Sequence, residues 1–326
     1  MAGFFTSKDR AVKTKVYIDG YNLYYGCLKN TPYKWLDLHR LIELLISRSD
    51  HPDANINTKH AIKFTTADIS PKAASDQNSP NDQRSYHQAL YLYRPTIEII
   101  KGAYSIEKST YPIVEQDESG KDKSPSESQR MMVWKIEEKQ SDVNVALEAV
   151  YDVLTDSTLE QVIFVTNDTD IIPALKKIRL INDERPNSTV QIGLITPSRV
   201  GKHQRTTNPN LSKLATWTIE YITNEELETS QLPSRVSGKK SSAIKPTSWF
   251  KHAQEVQEIL DILTHLDVLG SIPRAWRWLS EPKPEVEGLP ILVSTPDRML
   301  NTLAGIEAVK LHAITFAQYK INQQKK

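Results

Sequence analysis

The stretch that decides the fold is Gln161–Asp170, QVIFVTNDTD, in a chain of 326 residues. Its four-residue apolar run is rich in β-branched and aromatic side chains, which predicts a strand buried on both faces, as in a parallel sheet. The segment that follows TNDTD has helical spacing. Asp168 and Asp170 therefore lie where a strand ends and a helix begins, the edge at which open α/β sheets bind ligands. Acidic side chains also suit a helix N-terminus, so simple capping is the alternative interpretation.

The same alternation of strand and helix runs along the first two thirds of the chain. Such an alternation predicts an α/β fold, a Rossmann-like parallel sheet with helices on both faces. Residues 106–134 interrupt it and predict a long inserted hairpin with a charged tip, and Ser141 is predicted to cap the helix that follows. The predicted strands are 15–19, 60–66, 96–104, 161–166 and 189–196.

The chain is predicted to divide into three parts. Residues 1–230 contain the α/β alternation, and residues 231–249 are rich in Ser, Lys and Pro, which indicates a linker or surface tail. Residues 250–326 have helical spacing throughout, which predicts a small all-α C-terminal domain. Small domains bury a marginal area, so Trp276 and Trp278 are expected to anchor its core.

Composition excludes several functional classes. A formal net charge of +1 gives no global basic field, so a nucleic-acid contact would need a local basic patch. The single cysteine, Cys27, excludes an internal disulfide and a multi-cysteine zinc site. The sequence has no apolar run of membrane-spanning length and no signal-peptide pattern, which predicts a cytoplasmic protein without a membrane partner.

Four aspartates mark the ends of predicted elements. Asp19 ends the first strand, Asp142 opens the helix before the fourth, and Asp168 and Asp170 end the fourth. If the first and fourth strands are neighbours, these carboxylates converge and repel each other unless a cation joins them. Oxygen-only ligands select Mg²⁺ or Mn²⁺, which activate water for phosphodiester hydrolysis. Asn22 is placed to orient the water or a phosphate oxygen through its amide.

These motifs in this order resemble the NYN domain, the LabA-like branch of the PIN-like nucleases. The resemblance implies a metal-dependent endoribonuclease that binds RNA, although Thr166 and Asn167 stand where a Ser-Gly or Ser-Asn pair is usual. The matching segments are YIDGYNLYYG (17–26), EEKQSDVNVAL (137–147) and VIFVTNDTDIIPAL (162–175). The site positions that the resemblance implies are Asp19, Asn22, Asp142, Asp168 and Asp170.

Two basic groups are candidates for holding an RNA backbone, since phosphate contacts supply most of the sequence-independent affinity. One group precedes the Asp142 helix and the other follows the fifth strand. The alternative is that each is a solvated charged loop. The two groups are Arg130, Lys135 and Lys139, and Lys202, His203 and Arg205.

The C-terminal region carries a second resemblance. Residues 273–290, PRAWRWLSEPKPEVEGLP, have the W-L-x-x-P…G-x-P spacing of the toxin-binding domain in ParS-like (Xre-type) antitoxins. This resemblance implies that residues 250–326 form a homodimer or bind a protein partner. A generic helical appendage is the alternative.

The sequence thus predicts a Mg²⁺- or Mn²⁺-dependent endoribonuclease. Two other functions stay open at this stage. A DxD motif after an apolar strand also occurs in glycosyltransferases, where it holds a nucleotide-sugar diphosphate, but that role leaves Asp19 and Asp142 unexplained. A non-catalytic RNA-binding or regulatory module would keep the same fold.

Overall fold

A computed structural model describes residues 11–74, 76–185, 187–201 and 204–324. Its strands form one large parallel sheet and two small antiparallel pairs. The strands are β1 (Val12–Asp19), β2 (Ala54–Asn55), β3 (Ile62–Thr66), β4 (Ile97–Lys101), β5 (Ala103–Pro112), β6 (Arg130–Lys139), β7 (Gln161–Val165), β8 (Gln191–Ile195), β9 (Trp217–Ile219), β10 (Arg235–Ser237) and β11 (Ser242–Ile244).

Helices cover both faces of the large sheet and make up the C-terminal region. The helices are α1 (Gly20–Leu23), α2 (Leu38–Ser47), α3 (Ser79–Tyr93), α4 (Ser141–Thr155), α5 (Ile172–Glu184), α6 (Pro209–Ser212), α7 (Asn224–Thr229), α8 (Ala253–Thr264), α9 (Ile272–Leu279) and α10 (Leu303–Gln324). None of the helices in the described part of the chain is both long enough and apolar enough to cross a membrane.

The large sheet is parallel, with the strand order β4-β3-β1-β7-β8-β9 and with β2 beside the start of β1. The chain builds outward from β1 in one direction and from β7 in the other, so the strand order reverses between these two strands. Open α/β sheets bind ligands at such a switch point. Tyr17 pairs with Phe164 and Ile18 with Val165, which brings Asp19 beside Thr166. The predicted fold class is therefore confirmed, and β1 and β7 are neighbours.

Alternate residues of β1 and β7 enter two different cores, as the two-residue period of a strand requires. Ile18 and Val165 pack with α2 and α3 on one face of the sheet. Tyr17 and Phe164 pack with α4 and α5 on the other, where their rings stack at 5.5 Å between centroids. Burial on both faces explains why β7 reads as an uninterrupted apolar run.

The inserted hairpin is longer than the sequence predicted. β5 and β6 pair in register from Ala103–Lys139 to Pro112–Arg130 and form a two-stranded ribbon. The chain then turns through Gln140, whose φ of 80° is left-handed, and α4 begins at Ser141. The predicted cap at Ser141 is wrong, because the Ser141 hydroxyl donates instead to the Glu138 carboxylate.

Residues 231–249, predicted as a linker or surface tail, form the antiparallel pair β10–β11. This pair packs against α3, and Val236 and Ala243 join the main core. The helices α8 to α10 have a core of their own around Trp276, which is fully buried. The domain boundaries stay a prediction, whereas the helical character of the C-terminal region is confirmed.

Candidate active site

Three of the predicted aspartates come together at the carboxyl edge of β1 and β7. One carboxylate oxygen from each of Asp19, Asp142 and Asp168 lies within 4.8 Å of the other two. Asp19 is the last residue of β1, Asp142 is the second residue of α4, and Asp168 follows β7. The pairing of β1 with β7 and the entry of α4 at the same edge bring the three carboxylates together. Oxygens at this spacing suit a shared proton or a hard cation.

Asp19 is buried and held by three hydrogen bonds. The backbone N–H of Asn22 donates to one oxygen at 3.0 Å, and the Asn22 amide donates to the other at 2.8 Å. The Thr166 hydroxyl donates to the same second oxygen at 3.0 Å. Burial raises the pKa of Asp19, these hydrogen bonds oppose that shift, and the charge of Asp168 adds to it. Asn22 therefore positions a carboxylate, in addition to any role toward a ligand.

Gly20 makes the close turn after Asp19 possible. A Cβ at this position would lie 2.5 Å from the carbonyl oxygen of Thr65 and 2.8 Å from the ring of Phe64. Neither contact is tolerable, so only glycine lets α1 start directly against β3. The turn places Asn22 back beneath the Asp19 carboxylate.

Asp142 experiences the strongest electrostatic perturbation of the cluster. Burial raises the pKa of Asp142 to about 6, and the negative charges of Asp19, Asp168, Glu138 and Asp170 add to the shift. A carboxyl group with this pKa exchanges a proton near neutral pH, a property that is typical of acid–base residues.

Asp170 lies outside the three-aspartate cluster. Its side chain is exposed, and its backbone N–H donates to the Asp168 carboxylate at 3.0 Å, which caps the short helical turn Thr169–Ile171. Asp168 therefore fits both interpretations of the sequence, because it caps the helical turn and is also a member of the carboxylate cluster with Asp19 and Asp142. Asp170 contributes only its charge at the rim.

Two further residues of this site were not among the predicted site residues. Thr166 donates to the Asp19 carboxylate and accepts from the backbone N–H of Asp168 at 3.1 Å, so it links the end of β1 to the turn that carries Asp168. Glu138 accepts from Ser141 and adds negative charge near Asp142. The position of Thr166 directly after a buried strand was a signal for its role. Nothing in the local sequence distinguished Glu138 from its acidic neighbour.

The described residues of the two predicted basic groups each bond to a neighbouring protein group. Lys135 and Lys139 both form ion pairs with Glu137, the first at 2.8 Å, and the Arg130 guanidinium donates to the Thr110 carbonyl at 2.8 Å. The backbone N–H of Arg205 donates to the Ser198 hydroxyl at 2.7 Å. Lys202 and His203 lie outside the described residues.

A cavity of about 270 Å³ opens next to the start of α1, directly after Asp19 in the chain. Aromatic side chains supply much of its wall, and the Tyr21 hydroxyl donates to the Tyr104 hydroxyl at 2.6 Å. Ring walls of this kind suit a flat aromatic ligand. The aromatic residues of the wall are Tyr21, Tyr24, Tyr25, Phe64, Tyr86, Tyr104 and Trp249.

The cavity wall contains a cationic lysine and a neutral histidine, whereas the cluster next to it consists of carboxylates. Lys34 lies 5.5 Å from the centre of the Trp249 ring and forms no ion pair within 4 Å among the described residues. Burial lowers the pKa of His87 to about 4, with a further lowering by Lys101 and opposition from Asp68. His87 is therefore neutral at pH 7, and Lys34 is the cation of the cavity wall.

Comparison with known proteins identifies one informative relative. The chain is 40% identical over 290 residues to the 6-hydroxy-3-succinoylpyridine 3-monooxygenase HspA of Pseudomonas putida (strain DSM 28022 / S16). The aligned region covers 85% of this chain and 87% of that protein. No family model matches the chain. No solved structure matches it either.

The name of this relative contradicts the predicted function. Assignment to the NYN and ParS-like families is wrong, as are the predicted ribonuclease, the RNA-binding module and the glycosyltransferase, because the relative is named for oxygen transfer. The predicted Mg²⁺ or Mn²⁺ is wrong for a physical reason. Bound to carboxylates, such an ion polarises water or phosphate, whereas monooxygenation requires electrons and O₂ chemistry of the kind that a flavin or another redox group supplies. With 40% identity over most of both proteins, the chain belongs to the family of the 6-hydroxy-3-succinoylpyridine 3-monooxygenase HspA.

Proposed function

We propose that this chain is a monooxygenase that acts on a hydroxylated pyridine bearing an acidic side chain. The observation that carries this proposal is the 40% identity to an enzyme named for that reaction, spread over most of both chains. A monooxygenation transfers one oxygen atom of O₂ to the organic substrate and reduces the other to water with two protons and two electrons, which an added reductant such as NADH supplies.

The cavity beside α1 supports an aromatic substrate of this size. Its volume of about 270 Å³ is at the lower end of small-molecule sites, which suits a single six-membered ring with a short side chain. Offset or edge-on packing against tyrosine, phenylalanine and tryptophan rings stabilises such a ring beyond the burial of its area. The neutral His87 offers an uncharged hydrogen-bonding group in the same wall, whereas the Gln83 amide already bonds the backbone of Ile69 and Ala67.

The distribution of charge favours one orientation of the substrate. A succinoyl side chain ends in a carboxylate, which the Lys34 ammonium attracts and the carboxylates of Asp19, Asp142 and Asp168 repel. The ring hydroxyl is then placed near Gly20, the cavity residue that directly follows Asp19 in the chain. Asp142 does not itself line the cavity, so it is proposed to accept the hydroxyl proton through a water, and its pKa of about 6 leaves it ionised at neutral pH. Loss of that proton raises the electron density of the ring.

The residues at the sheet switch point do not fit a resident flavin nucleotide. The turn after β1 reads Asp19-Gly20-Tyr21-Asn22-Leu23 and lacks the glycine-rich phosphate loop. Three carboxylates stand where a phosphate would lie, and like charges repel. A non-haem iron site of two histidines and one carboxylate is not matched either, since the cluster found among the described residues is made of aspartates alone. The described residues of this site therefore fit neither a resident flavin nucleotide nor a non-haem iron ion.

Substrate-dependent oxygen uptake tests this proposal. The purified chain is mixed with 6-hydroxy-3-succinoylpyridine, NADH and either FAD or FMN, and O₂ consumption is followed with and without substrate. Lys34→Met is expected to raise KM about tenfold, the equivalent of about 1.4 kcal/mol for a lost ion pair, and to leave the KM of the substrate's methyl ester unchanged.

Lys29→Met is the matched control. Like Lys34, Lys29 lies over an aromatic ring, at 4.7 Å from the centre of Tyr25, but its side chain does not line the cavity. Its KM should equal that of the wild type. Absence of substrate-dependent O₂ uptake under every flavin condition would refute the function, and equal KM values for the two lysine variants would refute the orientation.

A further inference from the structure

The outer face of α4 is unusually apolar for a surface helix. Its inner face packs Val145, Ala149 and Val153 into the core, yet a second apolar stripe runs along the outer side. The exposed fraction of these side chains lies between 47% and 63%, and their spacing of four, four and three residues puts them on one line. A helix that is apolar on both sides is normally covered on both sides. The outer stripe consists of Val143, Leu147, Tyr151 and Leu154.

The β5–β6 ribbon carries a second uncovered apolar face. Met132, Trp134 and Ile136 alternate along β6 and therefore share one face, on which Ile106 lies directly opposite Ile136. Trp134 is 62% exposed and Met132 is 67% exposed. The two strands pack chiefly against each other, and an isolated two-stranded ribbon is marginally stable in water. The ribbon therefore also needs a covering surface.

We propose that a second copy of this chain covers both surfaces, with the ribbon of each copy lying over the α4 stripe of the other. Only Gln140 separates β6 from α4, so a ribbon cannot fold back onto the stripe of its own chain. A twofold axis removes this restriction, because each ribbon then meets the stripe of its partner and the two contacts are identical.

The dimensions of the two elements agree with this arrangement. The ten-residue strands of the ribbon extend about 34 Å, and the fifteen residues of α4 extend about 22 Å, so the ribbon reaches along the whole stripe. The seven side chains of the two faces expose on the order of 700 Å² per copy, close to the roughly 800 Å² that each partner buries in a stable interface. The stripe begins one residue after Asp142, so the interface borders the carboxylate cluster. This proposal does not depend on the reaction that the cluster performs.

The mass of the full chain in solution tests the proposal. Size-exclusion chromatography with light scattering should give twice 37.1 kDa for the wild type at micromolar concentration. Leu147→Glu and Trp134→Glu each place a charge in the apolar contact and should give the mass of one chain. Leu311→Glu is the control, because Leu311 is 44% exposed on α10 in the C-terminal region, and this variant should stay dimeric.

A cross-linking experiment does not depend on how well the glutamate variants fold. Cys27 is buried, so new surface cysteines dominate the reactivity. Trp134→Cys and Leu147→Cys should form a disulfide-linked pair when the two proteins are mixed and oxidised, and much less when either is oxidised alone. A monomeric wild type would overturn the proposal. So would a dimer that survives both glutamate substitutions on the ribbon and α4, or one that only Leu311→Glu dissociates.

Discussion

Two aspartates of α4, ten residues apart, meet opposite electrostatic surroundings. Asp152 is buried with cations on both sides, since Lys15 lies 2.7 Å and Lys63 2.8 Å from its oxygens, and the Tyr17 hydroxyl donates to it at 2.8 Å. Burial alone would raise the pKa of Asp152, but these hydrogen bonds outweigh it and lower the pKa. The charges that act most strongly on Asp142 come from other carboxylates, and burial together with their charge raises its pKa to about 6.

The comparison separates a carboxylate that stabilises the fold from one that is available for a ligand. The ion pairs of Asp152 with Lys15 and Lys63 hold α4 against β1 and β3, so this carboxylate stabilises the fold. Asp142 costs stability in the ionised form, and such a cost persists in proteins chiefly where the group has a function. The same helix therefore contains a structural anchor near its C-terminus and a functional carboxylate near its N-terminus.

Removal of the charge at Asp152 is the largest perturbation that the comparison predicts. Asp152→Asn leaves Lys63, which is buried, with Glu148 as its only ion-pair partner among the described residues, and it takes one partner from Lys15. Breaking a buried pair in this way costs about 3–5 kcal/mol of the free energy of unfolding. Urea denaturation measures the loss. Asp156→Asn, at the more exposed pair with Lys13, is the control and should cost less than about 1 kcal/mol. Equal losses for the two variants would remove the distinction.

The matching substitution at Asp142 should change stability in the opposite direction. Asp142→Asn removes one of three neighbouring negative charges, so the free energy of unfolding at pH 7 should rise, by up to about 1 kcal/mol after allowance for solvent screening. Oxygen uptake with the substrate should fall at least tenfold, because the proton acceptor is lost. A variant that is both less stable and fully active would show that Asp142 is a structural residue.

The pH dependence of these effects has a definite sign. The folded-state pKa of Asp142 is raised from 3.8 to about 6, so its protonation contributes stability that is present below about pH 4 and is lost as the pH rises through 6. The advantage of Asp142→Asn over the wild type should therefore be small at pH 4 and reach its full size above pH 7. The pKa of Asp152 is lowered, so the cost of Asp152→Asn should stay constant from pH 5 to 8. Unfolding curves across this range measure both.

Asp170 gives the smallest expected effect. Its side chain is exposed and outside the three-aspartate cluster, so Asp170→Asn should change the free energy of unfolding by less than about 0.5 kcal/mol. Oxygen uptake should fall by less than a factor of two. A loss of activity as large as that of Asp142→Asn would extend the functional cluster to the rim.

Much of the fold was visible in the sequence, because β7 reads as a continuous apolar run that ends in TNDTD and β1 ends in the apolar residues Val16–Ile18 before Asp19. Their adjacency was only a condition of the sequence argument, and the structure establishes it through the parallel pairing of β1 with β7. The cavity was invisible because its wall joins Tyr21 to Trp249, residues that only the folded chain brings together. Asp170 lies outside the carboxylate cluster because Asp168 caps a short helical turn that begins at Thr169. The spacing of residues in the sequence does not reveal such a turn.

The function was less predictable than the fold. Carboxylates at the ends of β1 and β7 fit a hard cation, a shared proton or a helix cap equally well on the basis of spacing. What separates these uses is the surrounding charge and the ligand, and neither is encoded in a DxD motif. Arg130, Lys135 and Lys139 illustrate the same limit, since their partners Thr110 and Glu137 were not apparent from the basic pattern.

The most direct test of the proposed oxidation is the origin of the oxygen atom in the product. The purified chain is incubated with 6-hydroxy-3-succinoylpyridine, NADH and flavin under ¹⁸O₂ in ordinary water. The molecular mass of the product is then measured by mass spectrometry. A monooxygenase should give a product that carries one ¹⁸O atom, and Asp142→Asn should give far less of it in the same time. A product whose new oxygen comes from water, or no product at all, would contradict the proposed function.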